Sequence, residues 1–225
     1  MYLLIDYDVV RSHRKSLGIT VERDGNIVVN APEALDEKEI EKQVWKKRLW
    51  IWEKLAIKKV YQQDAVSKRF VSGESFMYLG RNYRLEVISD DMPLKLQHGW
   101  FRFGQKQQRK AKECFKQWYV QHLNVKIKER LTLMLEKRKQ EIPVFRVLEL
   151  GYRWGSCTKE GCLNFNWKIA MAPVGVIDYI IVHELAHMKE ATHSEKFWRE
   201  VQRLMPNYLE KKEWLKKHGN ELDVS

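Results

Sequence analysis

HELAHMKEATH, His183 to His193, places three of the chain's seven histidines within one short stretch. At ~3.6 residues per turn, His183 and His187 lie one above the other on the same helix face, so both imidazoles can reach one ion. Glu184 sits ~100° round the helix from His183 and ~60° from His187, so its carboxylate flanks the pair without pointing at the metal. This is the H-E-x-x-H spacing of zincins, in which two histidines hold Zn²⁺ and the glutamate takes the proton from the attacking water. The residues before it, Ile177, Tyr179, Ile180, Ile181 and Val182, form a nearly continuous apolar run. A buried helix running straight into polar histidines is expected, and burying two imidazoles and a carboxylate is costly unless a metal satisfies them.

A catalytic zinc takes three protein ligands and keeps one position for water. His193 is ~240° round a continued helix from His187, so it joins the pair only if the helix ends between them. Thr192 with Glu195 has the capping-box pattern, and Ser194 is an alternative N-cap for a helix through Phe197, Trp198, Val201 and Leu204. A turn at 189–193 follows, and His193 becomes the favoured third ligand. Glu200 and Glu195, on that next helix, are the competing carboxylate ligands.

With 225 residues and nine Trp, nine Tyr and eight Phe, the chain can bury a sizeable core. No apolar stretch approaches the ~18 residues of a membrane span, and the first residues, MYLLIDYDVVR, lack the pattern of a signal peptide. A cytoplasmic protein without membrane partners is expected. Three cysteines without a C-x-x-C argue against a disulfide framework and a zinc ribbon, and Cys157 and Cys162, which could face each other across the intervening turn, are expected as free thiols. The formal charge of +11 is concentrated in residues 105–141, where 11 lysines and arginines face 4 glutamates. That segment reads as a long amphipathic helix with Ala111, Phe115, Trp118, Leu123, Ile127, Leu131 and Met134 on its apolar side. Its basic face is either solvated or a surface for nucleotide or nucleic acid through phosphate contacts.

Ahead of it, residues 19–30 alternate around Asp24-Gly25 as a β-hairpin does. A helix is expected from Asp36 to about Lys59, capped by Asp36 and Glu39, with Ile40, Val44, Trp45, Leu49, Trp52, Leu55 and Ala56 on its apolar side. The cluster Lys46-Lys47-Arg48 on it reads as solvated cations beside core tryptophans, or as a nucleic-acid patch. Residues 76–88 read as paired strands turning at Gly80-Arg81-Asn82. Two domains are expected: 1–104, a β-rich unit with one helix, and 105–225, the long basic helix followed by the catalytic part. Residues 144–172 suggest two or three strands with turns at Gly155 and Gly161, one of which could take an extended substrate along its edge.

RWGSC (Arg153 to Cys157), LNFNWKIAMAP (Leu163 to Pro173), IDYIIVHELAHMKEATHSEKFW (Ile177 to Trp198) and LMPNY (Leu204 to Tyr208) together resemble the YgjP-like metallopeptidase family. The hairpin, the tryptophan-rich helix and YLGRNY extend the resemblance over nearly the whole chain. It implies an α+β zincin fold related to SprT-like and WLM peptidases, with zinc on His183, His187 and His193 and Glu184 as the base. It also implies two activities, a peptidase and a nucleoside triphosphate (UTP) pyrophosphatase. Within RWGSC, Arg153 or Ser156 contacts substrate on the functional reading, against a tight strand turn with Trp154 in the core. The sequence therefore points to a zinc-dependent hydrolase, a peptidase first, a nucleotide pyrophosphatase second, and a nucleic-acid module with a structural zinc third.

Overall fold

The computed structural model describes residues 5–22, 25–61, 68–136, 141–151 and 153–224, without the side chains of 57–61. The chain divides into two compact units at Asp64/Ala65. In the first, β1 (Asp8–Ser12), β2 (Gly18–Val21) and β3 (Ile27–Pro32) form a sheet ordered β1-β3-β2. The hairpin read from the sequence is the antiparallel β2-β3 pair, and Gly25 at φ 95° supplies the left-handed residue of its turn. Asp24 lies outside the described residues. The parallel partner β1 was not legible.

Ile27, Val29 and Ala31 of β3 pack on Ile40, Val44 and Ile51 of two helices, α1 (Glu37–Lys46) and α2 (Arg48–Tyr61). The single helix expected from Asp36 to Lys59 is therefore broken at Lys47. Asp36 occupies the N-cap position with no side-chain cap bond, and the Glu39 carboxylate accepts from Gln43 (2.8 Å). Trp45 and Leu49, expected on the apolar side, are 45% and 68% exposed. A three-stranded sheet covers only a narrow helical stripe, and Trp45 lies ~140° from Ile40 and Leu49 ~200° from Ile51. Lys46 and Lys47 are exposed as expected, while Arg48 lies 4.6 Å over the Trp45 ring at the surface rather than beside a core tryptophan.

In the second unit, β4 (Ser75–Tyr78), β5 (Arg81–Ile88), β6 (Lys95–Gln97) and β7 (Trp100–Gly104) form a sheet ordered β4-β5-β7-β6. The β4-β5 turn is Leu79-Gly80, with φ of 48° and 78°, and not Gly80-Arg81-Asn82. Two positive φ values give the turn whose twist matches that of the strands. Gly80 is fixed by contact as well, since a Cβ there would stand 2.8 Å from Pro173. A 3₁₀ segment at Gln105–Lys110 leads into α3 (Ala111–Glu136). Its stripe covers the sheet: Phe115 stacks on Phe76 at 4.2 Å, and Trp118 meets Phe101 edge-on at 4.9 Å. The boundary expected at 104 thus falls inside one core, because the aromatic face of this sheet is buried by the very helix that was assigned to the next domain.

Beyond α3, β8 (Phe145–Leu148), β9 (Gly155–Cys157) and β10 (Leu163–Asn166) form a sheet ordered β8-β10-β9, with β9 at its edge. Three helices follow: α4 (Val174–His187), α5 (Glu195–Leu204) and α6 (Tyr208–His218). α4 is apolar nearly all round and accordingly lies in the core. Of its two buried acidic residues, Asp178 and Glu184, the first is gripped by Arg130 of α3 through two hydrogen bonds of 2.7 and 2.8 Å. The architecture is α+β, and among the described residues no helix is long and apolar enough to cross a membrane.

Candidate metal centre

α4 ends at His187, and the chain folds back at once: the amides of Lys189 and Glu190 both donate to the Ala186 carbonyl at 3.0 Å. Ser194, not Thr192, caps α5, accepting from the Phe197 amide at 3.3 Å. The Thr192 hydroxyl instead donates to Glu190. The tight turn and the cap together return His193 to the end of α4. Its Nε2 stands 3.0 Å from His183 Nε2 and 3.2 Å from His187 Nε2. The three could hold one metal ion.

The protonation of the rings suits ligation. His187 Nδ1 lies 3.1 Å from the Glu190 carbonyl, which can only accept, so Nδ1 is the donor of that bond and Nε2 is the nitrogen turned to the other two rings. Burial, with the neighbouring imidazoles and Lys212, lowers the pKa of His183 to about 3 and also lowers that of His193. Both are neutral near pH 7, the form that binds metal. Phe197 packs against all three rings at 4.5–4.9 Å and gives the site an apolar wall.

Glu184 is buried beside this cluster, and burial pushes its pKa up to about 8 against the opposing pull of Arg153. Its Oε2 and His183 Nδ1 are buried without a hydrogen-bond partner among the described residues. The β9 backbone passes directly over it: a Cβ at Gly155 would stand 2.5 Å from Glu184 Oε1. Gly155 is therefore a strand residue needed for close approach, not the turn residue expected, whereas Gly161 at φ 81° does make a turn. Asn166, fully buried at the end of β10, holds the loop before β9 by donating to the Gly151 and Arg153 carbonyls at 3.3 and 2.9 Å. Helix, edge strand and returning loop enclose a cleft of about 950 Å³ lined by Arg153, Ser156, Tyr179 and the three histidines, among others.

A family description of the YgjP-like metallopeptidase domain matches residues 15–218. The chain belongs to the YgjP-like metallopeptidase family. No curated protein matches it. Among solved structures, the crystal structure of the metallopeptidase zymogen of Pyrococcus abyssi abylysin is similar at 25% identity, covering 40% of this chain and 90% of that one, with a TM-score of 0.36.

Of the site residues expected from sequence, this YgjP-like peptidase brings His183, His187, His193 and Glu184 together and sets Arg153 and Ser156 on the cleft wall. It does not bring in the competing carboxylates. Glu200 is held by Arg203 and Lys189 at 2.7–2.8 Å, and Glu195 is exposed near Arg199. Trp154 is half-buried against Gly219, and Cys157 and Cys162 are free thiols. Sequence reasoning missed Gly155 as the neighbour of Glu184, Asn166 as the support of the loop, and Tyr179 on the cleft wall. Only Tyr179 carried a signal, standing one turn before His183 on the same face.

Proposed function

We propose that this metallopeptidase is a zinc-dependent peptidase with a zincin-type core, its ion held by His183, His187 and His193 and its general base Glu184. The spacing of the three Nε2 atoms carries the reading. A tetrahedral ion ~2.1 Å from each ligand sets neighbouring donors ~3.4 Å apart, and the two measured separations are 3.0 and 3.2 Å. Among the described residues the group has three members rather than four, which supports a catalytic over a structural ion.

Bound there, zinc would supply Lewis acidity, acidifying the attacking water and polarising the scissile carbonyl. The protein's own residues do the rest. Glu184 accepts the water's proton on a carboxylate oxygen and passes it to the leaving amine. A divalent charge nearby favours the ionised carboxylate that this step needs and opposes the effect of burial. Beside α4, the outer edge of β9 offers backbone groups along which an extended peptide segment can add as a further strand. Arg153 and Ser156 then flank that segment. Part of the basic charge of α3 is engaged within the fold, Lys116 with Glu149 and Arg130 with Asp178, which weakens the nucleotide reading.

The test compares zinc-loaded wild type with Glu184→Gln on unfolded casein and, separately, on nucleoside triphosphates. Wild type should release peptides, and the variant should keep its zinc while losing about 10²–10⁴-fold in rate. Glu184-dependent pyrophosphate release without any peptide product would overturn the proposal.

A further inference from the structure

Tyr179 stands one turn before His183 on α4 and lines the same cleft, with only 6% of its surface exposed. Its ring is clamped, edge-on to His183 with centroids 5.9 Å apart and stacked on Tyr208 of α6 at 6.5 Å and 20°. The hydroxyl has no hydrogen-bond partner among the described residues, yet it is not sealed from solvent. A tyrosine this deeply buried ordinarily gives its O–H to an acceptor of the fold, as Tyr119 does to the Met77 carbonyl at 2.7 Å. Tyr179 instead keeps a fixed, unused donor open to the cleft. Outside the proposed centre it is also the only hydrogen-bonding side chain among the described residues that α4 and α6 give this cleft, the others being Ile180 and Leu215. An extended segment added to the edge of β9 turns alternate carbonyls towards that strand and the others away from it. Those directed away need a donor elsewhere. A phenol, protonated at neutral pH, is such a donor, and the apolar residues beside it favour a neutral acceptor over a charged one.

We propose that Tyr179 is a substrate-binding residue whose hydroxyl donates a hydrogen bond to a backbone carbonyl of the extended peptide, on the edge turned away from β9. This rests on the peptidase reading of the same cleft. The contact is to the main chain, so it adds affinity without choosing among side chains. With its ring already clamped, the hydroxyl loses little freedom when the peptide arrives. Tyr179 acts on binding and takes no part in proton transfer.

The experiment uses the full chain, zinc-loaded, with Glu184→Gln to stop turnover. The tightest binder of a varied panel of fluorescent hexapeptides is titrated by anisotropy, together with isosteres in which one amide at a time is replaced by a trans carbon–carbon double bond. Adding Tyr179→Phe should leave the zinc content unchanged and weaken binding of the all-amide peptide about three- to tenfold, the scale of one hydrogen bond. One isostere should bind the parent protein as weakly and lose nothing further with Tyr179→Phe, which identifies the carbonyl. Equal affinity of the two proteins for the all-amide peptide overturns the proposal, as does a loss of the same size for every isostere, the mark of a structural role. With Glu184 intact, Tyr179→Phe should raise KM by the same factor and leave kcat in place. A fall in kcat at unchanged KM would put the hydroxyl in the chemical step and also overturn it. If the intact enzyme cuts no peptide of the panel while the coupling to one amide is present, the peptidase reading fails and the hydrogen bond stands; if no peptide binds, the hydrogen bond is overturned.

Discussion

At Gly155 the absence of a side chain is a statement about Glu184. An added methyl would meet the carboxylate at 2.5 Å from Oε1 and 2.8 Å from Cγ. β9 cannot retreat freely, because β10 pairs with it on its other side. Glu184 is the group that must move. Gly155→Ala is therefore expected to retain zinc and cut peptide turnover about a hundredfold, the usual cost of misplacing a catalytic group by about an ångström. Elemental analysis beside kcat checks this, and full activity would show that Glu184 tolerates displacement. RWGSC marks this position in the sequence, yet a glycine followed by a serine reads as a turn. Nothing in the linear order says which side chain lies across a strand. The histidine pair was legible for the opposite reason: both rings belong to one helix, whose periodicity alone brings them together.

At the scale of elements, two ion-paired ties hold the centre. Asp178 and Arg130 join α4 to α3, with Asp178 nearly buried. Asp178→Leu would strand the guanidinium and cost about 3 kcal/mol, the lower end for a buried pair because Arg130 is partly exposed. Scanning calorimetry should show a loss of about 6–10 °C, most of it recovered by adding Arg130→Met; no recovery would mean that stranded charge is not the cause. The second tie spans the metal loop. Arg203 and Lys189 bind the Glu200 carboxylate and hold its pKa down to about 2 despite its burial. A lowered carboxylate pKa contributes stability above the ordinary carboxylate range and loses it as pH falls through the folded value. Unfolding free energy should therefore fall more steeply between about pH 4.5 and 2 in wild type than in Glu200→Gln, by no more than about 1 kcal/mol since both partners are more than half exposed. Parallel acid limbs would remove this tie from the account. Glu200 was a plausible zinc ligand from the sequence, and its actual partners, Lys189 and Arg203, are ordinary surface cations that no motif singles out. His193 depended on a turn and a cap that the sequence did show, in Ser194 and the polar residues before it.

At the scale of the molecule, secondary structure was more legible than its grouping. The β4-β5 pair and the stripe of α3 were readable, whereas β6 and β7 were not, and an aromatic strand face does not name the helix that covers it, so the sequence places the boundary at 104 where the two compact units divide at 64. The grouping has a thermodynamic consequence. Each unit has its own apolar core, Ile27, Val29, Ile40 and Ile51 in one and the α3–α4 core in the other. The three histidines lie in the second unit alone. A ligand that binds only the folded form stabilises by RT ln(1 + [L]/Kd), about 4 kcal/mol at a thousandfold excess over Kd, and does so only for the cooperative unit that contains the site. Calorimetry of the full chain should resolve two transitions, and dialysis against a chelator should lower one by several degrees while leaving the other in place. His187→Ala should place the same transition near its metal-free position with zinc present. A single transition that shifts as a whole would mean that the two cores melt together, and a metal-insensitive trace would remove the ion from the stability of this fold.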